Sequence, residues 1–124
     1  MQKILIVEDD AILLEMYQDK FVKEGFTVET AVDGKAGIEK MRTFRPDAVL
    51  LDLMMPKMTG FSVLELVKGE ENLKNIPIIV LTNIYADAQD LLQNWGVKHF
   101  LLKANYTPEQ VVEKVKQTII PQAA

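Results

Sequence analysis

The chain alternates short apolar runs with longer amphipathic segments. Four runs favour buried strands of a parallel sheet, because they are continuously apolar and show no helical period. These runs are Ile4–Val7, Ala48–Leu51, Ile78–Leu81 and Phe100–Leu102. A weaker run, Phe26–Ala31, alternates apolar and polar residues, which is typical of an edge strand.

Helical patterns separate these runs, and the first and last have recognisable ends. Leu13, Tyr17 and Phe21 recur at the i, i+4, i+8 spacing, and Gly25 is a suitable stop. The segment Thr107-Pro108-Glu109-Gln110 predicts a helix start, with threonine as N-cap, proline at the first helical position and glutamine completing a capping box.

Three further helical patterns lie between the remaining runs. They cover residues 34–43, the segment after Gly60 and, more weakly, about 86–95. The chain therefore repeats a strand followed by a helix five times. This alternation predicts a doubly wound α/β sandwich with a parallel sheet between two helical layers, in which ligands bind beyond the carboxyl ends of the strands.

Polar residues follow four of the five predicted strands, where that rule places a ligand. They are Glu8, Asp9 and Asp10 after the first strand, Asp52 after the third, Thr82 after the fourth and Lys103 after the fifth. Each would be costly to bury alone, but together they can neutralise one another. Asp10 is interpreted separately, as the N-cap of the first helix.

The acidic members of this group favour a metal-dependent chemistry. Converging carboxylates from Glu8, Asp9 and Asp52 repel one another unless a cation lies among them, and hard oxygen ligands favour Mg²⁺. A metal would leave Asp52 ionised and able to attack phosphorus as a nucleophile. Lys103 could then pair with a phosphoryl oxygen, and Thr82 could donate a hydrogen bond to another.

Composition narrows the function further. A chain of 124 residues without cysteine suits one domain and excludes a disulfide framework and a cysteine nucleophile, and a single histidine leaves too few soft ligands for zinc or copper. The net charge of −4 gives no support to nucleic-acid or anionic-membrane binding. No apolar run is long enough for a membrane span or a signal peptide, so we expect a cytoplasmic protein.

The ordered set of motifs resembles the receiver domain of bacterial two-component response regulators, over essentially the whole chain. The matching segments are 4–10 (ILIVEDD), 47–56 (DAVLLDLMMP) with Gly60, 77–82 (PIIVLT) and 100–103 (FLLK). The resemblance implies a flavodoxin-like (βα)5 three-layer sandwich with strand order 2-1-3-4-5. It also implies a receiver domain over residues 1–120, of the stand-alone type, with a short tail at 121–124.

The resemblance implies a role for each matching residue. Asp52 corresponds to the phosphoacceptor, and Lys103 to the lysine that pairs with the phosphate. Mg²⁺ would be held by Glu8, Asp9, Asp52 and the backbone carbonyl of Met54. Thr82 and Phe100 correspond to the residues that switch when the aspartate is phosphorylated.

These roles imply a phosphorylation-dependent signalling switch that takes its phosphoryl group from a phosphohistidine donor. The expected partners are a sensor histidine kinase or histidine phosphotransfer protein and a downstream effector bound by the fourth helix, fifth strand and fifth helix. We expect no direct contact with nucleic acid or membrane, and a monomer or a weak dimer formed on phosphorylation. Such a protein is not a conventional enzyme, since it catalyses only its own phosphorylation and slow dephosphorylation.

Four positions bear on how closely the chain follows the family pattern. Ala104 replaces the usual proline after the lysine, so the peptide bond before it is either trans, with a shifted loop, or a strained cis bond. Asn83 replaces a small residue next to Thr82. Met54 and Ile84 lie two residues beyond Asp52 and Thr82 and cannot orient water, which predicts a long-lived aspartyl phosphate.

Three other functions compete with the phosphorylated switch. A pseudo-receiver would keep the fold and signal without phosphate, and Ala104 and Asn83 leave this alternative open. A phosphohydrolase with an aspartate nucleophile commonly carries a second acid two residues later, where this chain has Met54. A flavin-binding module would need phosphate-binding Ser, Thr or Gly residues after the first strand, which the sequence lacks there.

Overall fold

A computed structural model describes residues 2–83 and 88–119 of the chain. Its elements are β1 (Lys3–Val7), α1 (Ala11–Lys23), β2 (Thr27–Ala31), α2 (Gly34–Phe44), β3 (Ala48–Leu51), α3 (Gly60–Gly69), β4 (Ile78–Thr82), α4 (Ala88–Asn94), β5 (Val97–Leu102), a 3-10 turn (Lys103–Asn105) and α5 (Pro108–Ile119). The strands pair in parallel in the order β2-β1-β3-β4-β5. The predicted fold class and strand order are confirmed.

Two apolar clusters cover the two faces of the sheet. One packs α1 and α5 against the first face, and the other packs α2, α3 and α4 against the second. Because successive side chains of a strand point to opposite faces, Ile4 and Ile6 belong to the first cluster whereas Leu5 and Val7 belong to the second. This alternation makes the central strands apolar throughout, as the sequence pattern predicted.

Both ends of α1 follow from the residues that flank it. The side chain of Asp10 accepts hydrogen bonds from the backbone amides of Ile12 and Leu13 at 3.0 Å and 3.2 Å. Gly25, just beyond the last turn, has a φ of +92°, a conformation that a side chain would disfavour. The predicted cap and stop of this helix are confirmed.

The predicted capping box at the start of α5 is also present. The amide of Thr107 donates to Gln110 Oε1 at 2.8 Å, and the amide of Gln110 donates to Thr107 Oγ1 at 3.2 Å. These reciprocal bonds satisfy two amides that the first turn of a helix leaves without a backbone partner.

The prediction of a short, buried fifth strand was wrong in extent and in burial. β5 begins at Val97 and forms an edge of the sheet, where Lys98 is exposed and His99 and Phe100 are half-buried. A register shift opposite Ile78 and Ile79 leaves Lys98 without a pairing partner in β4. The polar residues that this edge tolerates interrupted the apolar pattern from which the strand was predicted.

Some predicted features lie outside the described residues. These are the beginning of the fourth helical pattern, Ile84 and the tail at 121–124. Within the described ranges, no helix is both long and apolar enough to cross a membrane.

Candidate functional site

Two buried carboxylates emerge next to each other at the carboxyl edge of the sheet. β1 and β3 pair with Val7 opposite Leu51, so the residues that follow, Glu8 and Asp52, lie side by side. Glu8 is only 3% exposed and Asp52 only 5%. Two neighbouring negative charges withdrawn from water are unfavourable unless donors or a cation compensate them.

Each of these carboxylates accepts a hydrogen bond from the backbone amide two residues later in the chain. The amide of Asp10 donates to Glu8 Oε2 at 3.1 Å, and the amide of Met54 donates to Asp52 Oδ1 at 3.0 Å. The turns that leave β1 and β3 therefore orient both side chains locally. In each case the second carboxylate oxygen remains available to a cation.

Lys103 provides that cation from the end of β5. Its Nζ lies 2.5 Å from Glu8 Oε1 and 2.9 Å from Asp52 Oδ2, and its side chain is only 11% exposed. One ammonium group thus bridges the two buried carboxylates. The sequence-based prediction that Glu8, Asp52 and Lys103 meet at one edge of the sheet is confirmed as a placement.

The proton affinities of these groups are shifted from their ordinary values. Burial raises the pKa of Glu8 from 4.5 to about 6, with a further increase from the charge of Asp52, against the lowering effect of hydrogen bonds from Lys103 and the Asp10 amide. Burial lowers the pKa of Lys103, but its hydrogen bonds and attraction to both carboxylates outweigh that effect and leave the pKa raised. Lys103 therefore stays charged at neutral pH.

Asp9 completes a group of three carboxylates, Glu8, Asp9 and Asp52, which we call the acidic site. One oxygen from each lies within 4.8 Å of the others, and Asp9 is exposed to solvent. Carboxylate oxygens with an open, solvated side suit Mg²⁺, which binds few protein ligands and keeps several waters. The residues present therefore fit this ion.

Thr82 and Phe100 lie on the neighbouring strands. Thr82 ends β4 and is fully buried. Phe100 is half-buried in β5 and packs against the cluster beneath α2, α3 and α4. Asn83 follows Thr82 with its side chain exposed. Both predicted switch residues therefore lie near the carboxyl edge of the sheet.

The peptide bond between Lys103 and Ala104 is trans, as are all those of the described residues. The chain turns there through the 3-10 segment Lys103–Asn105 and enters α5 at Pro108. Of the two possibilities raised by Ala104, the structure has the trans bond, and Lys103 still reaches both carboxylates.

Tyr17 is a neighbour of the acidic site that the sequence analysis assigned only to the core. It is 3% exposed and lines a small cleft together with Glu8 and Asp52. Its spacing from Leu13 and Phe21 is that of an ordinary core residue. The one signal in the sequence was its hydroxyl group. A buried tyrosine usually has a polar partner for its hydroxyl, so a tyrosine on the buried face of α1 indicates polar groups nearby.

Comparison with known proteins shows which family the chain belongs to. The sequence model of one protein family, described as the response regulator receiver domain, matches residues 4–116. The chain belongs to this family. The match runs from the second residue of β1 into α5, so it includes each residue of the acidic site and Lys103.

Curated relatives and solved structures agree with this assignment. The receiver domain is 32% identical to the DNA-binding dual master transcriptional regulator RpaA of Synechocystis sp., over 100% of this chain and 54% of the relative. It is 34% identical to the DNA-binding response regulator MtrA of Mycobacterium tuberculosis, over 93% of this chain and 49% of the relative. The chemotaxis protein CheY4 of Vibrio cholerae superposes with a TM-score of 0.85 at 28% identity, over 95% of this chain and 98% of CheY4.

The names of these relatives bear on the expected partners. The receiver domain spans about half the length of RpaA and MtrA, and both are named as DNA-binding regulators. The comparisons therefore give no support to the expectation that nucleic acid is not involved. Membership of the family implies a histidine kinase partner and a downstream effector.

Proposed function

We propose that this receiver domain accepts a phosphoryl group on Asp52 from a phosphohistidine donor, in a reaction that requires Mg²⁺. The observation that supports the proposal is the single cluster formed by Glu8, Asp9, Asp52 and Lys103, in which one lysine bridges two buried carboxylates. A signalling role through phosphorylation is consistent with the family. The named acceptor and the metal requirement go beyond it.

In the proposed reaction, a carboxylate oxygen of Asp52 attacks phosphorus in line with the phosphohistidine bond. An O–P bond forms as the P–N bond breaks, and the bonding electron pair passes to the imidazole nitrogen of the donor. A Mg²⁺ ion held by Glu8, Asp9, Asp52 and the Met54 carbonyl would offset charge on the transferred group. The Met54 amide, which donates to Asp52 Oδ1, holds the nucleophile in orientation.

Lys103 has two successive tasks in this proposal. Before transfer it neutralises Glu8 and Asp52 and so allows both to be buried. After transfer it exchanges its bond with Asp52 Oδ2 for one with a phosphoryl oxygen, because the new group carries about −1.5 to −2 charges. An ammonium group with three donors can make this exchange without leaving the edge of the sheet.

Thr82 and Phe100 would convert phosphorylation into a change at the surface. The Thr82 hydroxyl moves to donate to the phosphoryl group, and the half-buried ring of Phe100 turns inward into the space this opens. We propose that the face formed by α4, β5 and α5 thereby changes its affinity for a downstream effector. A monomer or a weak phosphorylation-dependent dimer in the cytoplasm would suit this role.

We also propose that the aspartyl phosphate is lost slowly. Met54, two residues after the acceptor, is 62% exposed and apolar, so it offers no hydrogen bond to an attacking water. Rapid loss of the phosphoryl group from the isolated protein would contradict this proposal.

The test is intact-protein mass spectrometry after incubation with a small-molecule phosphodonor and Mg²⁺. We expect the parent protein to gain the mass of one phosphoryl group and the Asp52→Asn variant to gain none. Omission of Mg²⁺, with EDTA present, should abolish the addition. Addition to both proteins would place the acceptor elsewhere and overturn the assignment of Asp52.

A pseudo-receiver that signals without phosphate remains the second candidate. One observation favours it: Asn83 is exposed immediately after Thr82. Ala104, which left the same alternative open in the sequence, does not prevent Lys103 from reaching both carboxylates. A folded parent protein that gains no mass in the presence of Mg²⁺ would support this candidate. Recovery of the addition in an Asn83→Ala variant would then identify Asn83 as the obstruction.

A further inference from the structure

Tyr17 lies directly beneath the acidic site, on the face of the sheet that α1 covers. It lines a partly open cleft of about 10 Å³ with Glu8 and Asp52, and apolar residues of β1, β3 and β4 form the rest of the lining. A space of this size holds about one water molecule. The position of Tyr17 follows from its place on α1, the helix that begins immediately after the first strand and its acids.

The hydroxyl of Tyr17 makes no hydrogen bond within the described part of the chain. The residue is 3% exposed, so nearly all of its ring is withdrawn from water. Every buried side-chain nitrogen or oxygen among the described residues has a partner, and the Tyr17 oxygen is not among those bonded. Its oxygen must therefore reach solvent at an opening, although the ring is buried.

The charges around Tyr17 are those of the acidic site and its lysine. Burial raises the pKa of the Tyr17 phenol, Lys103 lowers it, and the carboxylates of Glu8 and Asp52 raise it. The net effect is a pKa above the ordinary value of 10, so the phenol keeps its proton at neutral pH. Tyr17 thus presents a neutral donor to a region that is rich in acceptors.

We propose that Tyr17 is a positioning residue of the acidic site, whose hydroxyl holds one water molecule between itself and the carboxylates of Glu8 and Asp52. The Tyr17 hydroxyl donates to the water oxygen, and the two hydrogens of the water are donated to the two carboxylates. Every hydrogen in this arrangement has an acceptor. The inference rests on the proposed function only in that the acidic site is taken to bind Mg²⁺.

This water would stabilise the ligand arrangement that a cation needs. The water donates a hydrogen bond to each carboxylate from the face of the sheet that α1 covers. These bonds reduce the repulsion between Glu8 and Asp52 when Lys103 is drawn towards a phosphoryl group. Side chains that bind metals are commonly oriented by such outer hydrogen bonds. Removal of the hydroxyl should therefore weaken cation binding without a change in any ligand.

The first test measures Mg²⁺ binding by calorimetry, with no phosphodonor present. Tyr17→Phe should raise the Mg²⁺ dissociation constant about three- to tenfold, the range expected for loss of one hydrogen bond between neutral groups, here the hydroxyl and the water. The matched control is Tyr106→Phe, which removes a hydroxyl from a half-buried tyrosine packed against the same apolar cluster. Urea unfolding of both variants establishes that they fold. An unchanged constant in Tyr17→Phe, or an equal rise in both variants, would overturn the inference.

A second measurement needs no metal and separates this inference from the proposed function. The ¹³Cζ resonance of Tyr17 is followed in EDTA in the parent protein and in Asp52→Asn. If a water links the hydroxyl to Asp52, the resonance should shift in the variant, whereas that of Tyr106 should not. Failure of the parent protein to bind Mg²⁺ would count against the proposed function. The NMR measurement would still test the role of Tyr17, because an unchanged Tyr17 resonance in Asp52→Asn would refute the proposed water bridge.

Discussion

Replacing Glu8 by glutamine should stabilise the metal-free protein near neutral pH. Glu8 is 3% exposed, and burial raises its pKa to about 6. The folded chain therefore binds this proton more tightly than the unfolded chain does. By linkage, the contribution of Glu8 to the stability of the fold is greatest below the unfolded pKa of 4.5 and is lost as the pH rises through about 6. At neutral pH the charged carboxylate thus opposes folding, and a neutral amide removes that opposition.

The expected gain follows from the size of the shift. A change in pKa from 4.5 to about 6 is worth about 2 kcal/mol at 1.36 kcal/mol per unit. This full difference applies at pH 7.5, and at pH 5 it falls to about 1 kcal/mol or less because the folded protein is then largely protonated. Lys103 keeps its 2.9 Å contact with Asp52 in the variant, so the substitution does not leave the ammonium without a counter-ion.

The assay is urea unfolding in EDTA at pH 7.5 and at pH 5, with Glu15→Gln as the control. Glu15 lies exposed on α1, so its substitution should change stability by less than about 0.5 kcal/mol. A loss of stability in Glu8→Gln at pH 7.5, or the same gain at both pH values, would refute the reasoning. Added Mg²⁺ should favour the parent protein over the variant, because a bound ion stabilises only the chain that binds it.

Three further substitutions, and a control for the first of them, test the fold through urea unfolding. Gly60→Ala should cost about 2 kcal/mol or more, because a Cβ there would lie 2.6 Å from Leu53 Cα, whereas Gly69→Ala, with nothing within 4 Å, should stay within about 1 kcal/mol of the parent. An equal effect at both glycines would contradict the packing argument. Phe21→Ala should cost about 3–5 kcal/mol because the ring is fully buried. Thr107→Ala should cost about 1 kcal/mol by removing the cap of α5, and an unchanged midpoint would show that the capping box contributes nothing.

The central strands were predictable because both of their faces are buried. Four consecutive apolar residues, as in Ile4–Val7 and Ala48–Leu51, suit a central strand of a parallel sheet, and such a run is too short to form a buried helix by itself. The edge strand β5 was less predictable, since Lys98 and His99 lie in a strand that pairs on one side only among the described residues. An edge relaxes the apolar requirement, and the pattern that identifies a strand weakens with it.

The convergence of Glu8, Asp52 and Lys103 followed from topology, since parallel strands end at the same edge. The position of Tyr17 beside the acidic site did not follow from the strand topology. The i, i+4 spacing identifies a buried face of α1, but it gives no information about where the far end of a long side chain lies. The spacing also placed Leu13 on the buried face, but Leu13 is half-buried and its neighbour Leu14 is buried, because the buried stripe of α1 is wider than the i, i+4 row.

Besides its bond to Lys103, each of the two buried carboxylates accepts a hydrogen bond from a main-chain amide, that of Asp10 for Glu8 and that of Met54 for Asp52. Every amino acid except proline supplies such an amide. The orientation that these amides give Glu8 and Asp52 therefore does not depend on which side chains occupy positions 10 and 54. Asp10 is still required as the cap of α1, whereas the side chain of Met54 is free to vary. A library of substitutions at Met54 could alter solvent access beside Asp52 while the carboxylate itself stays in place, with proline as the one replacement that releases it.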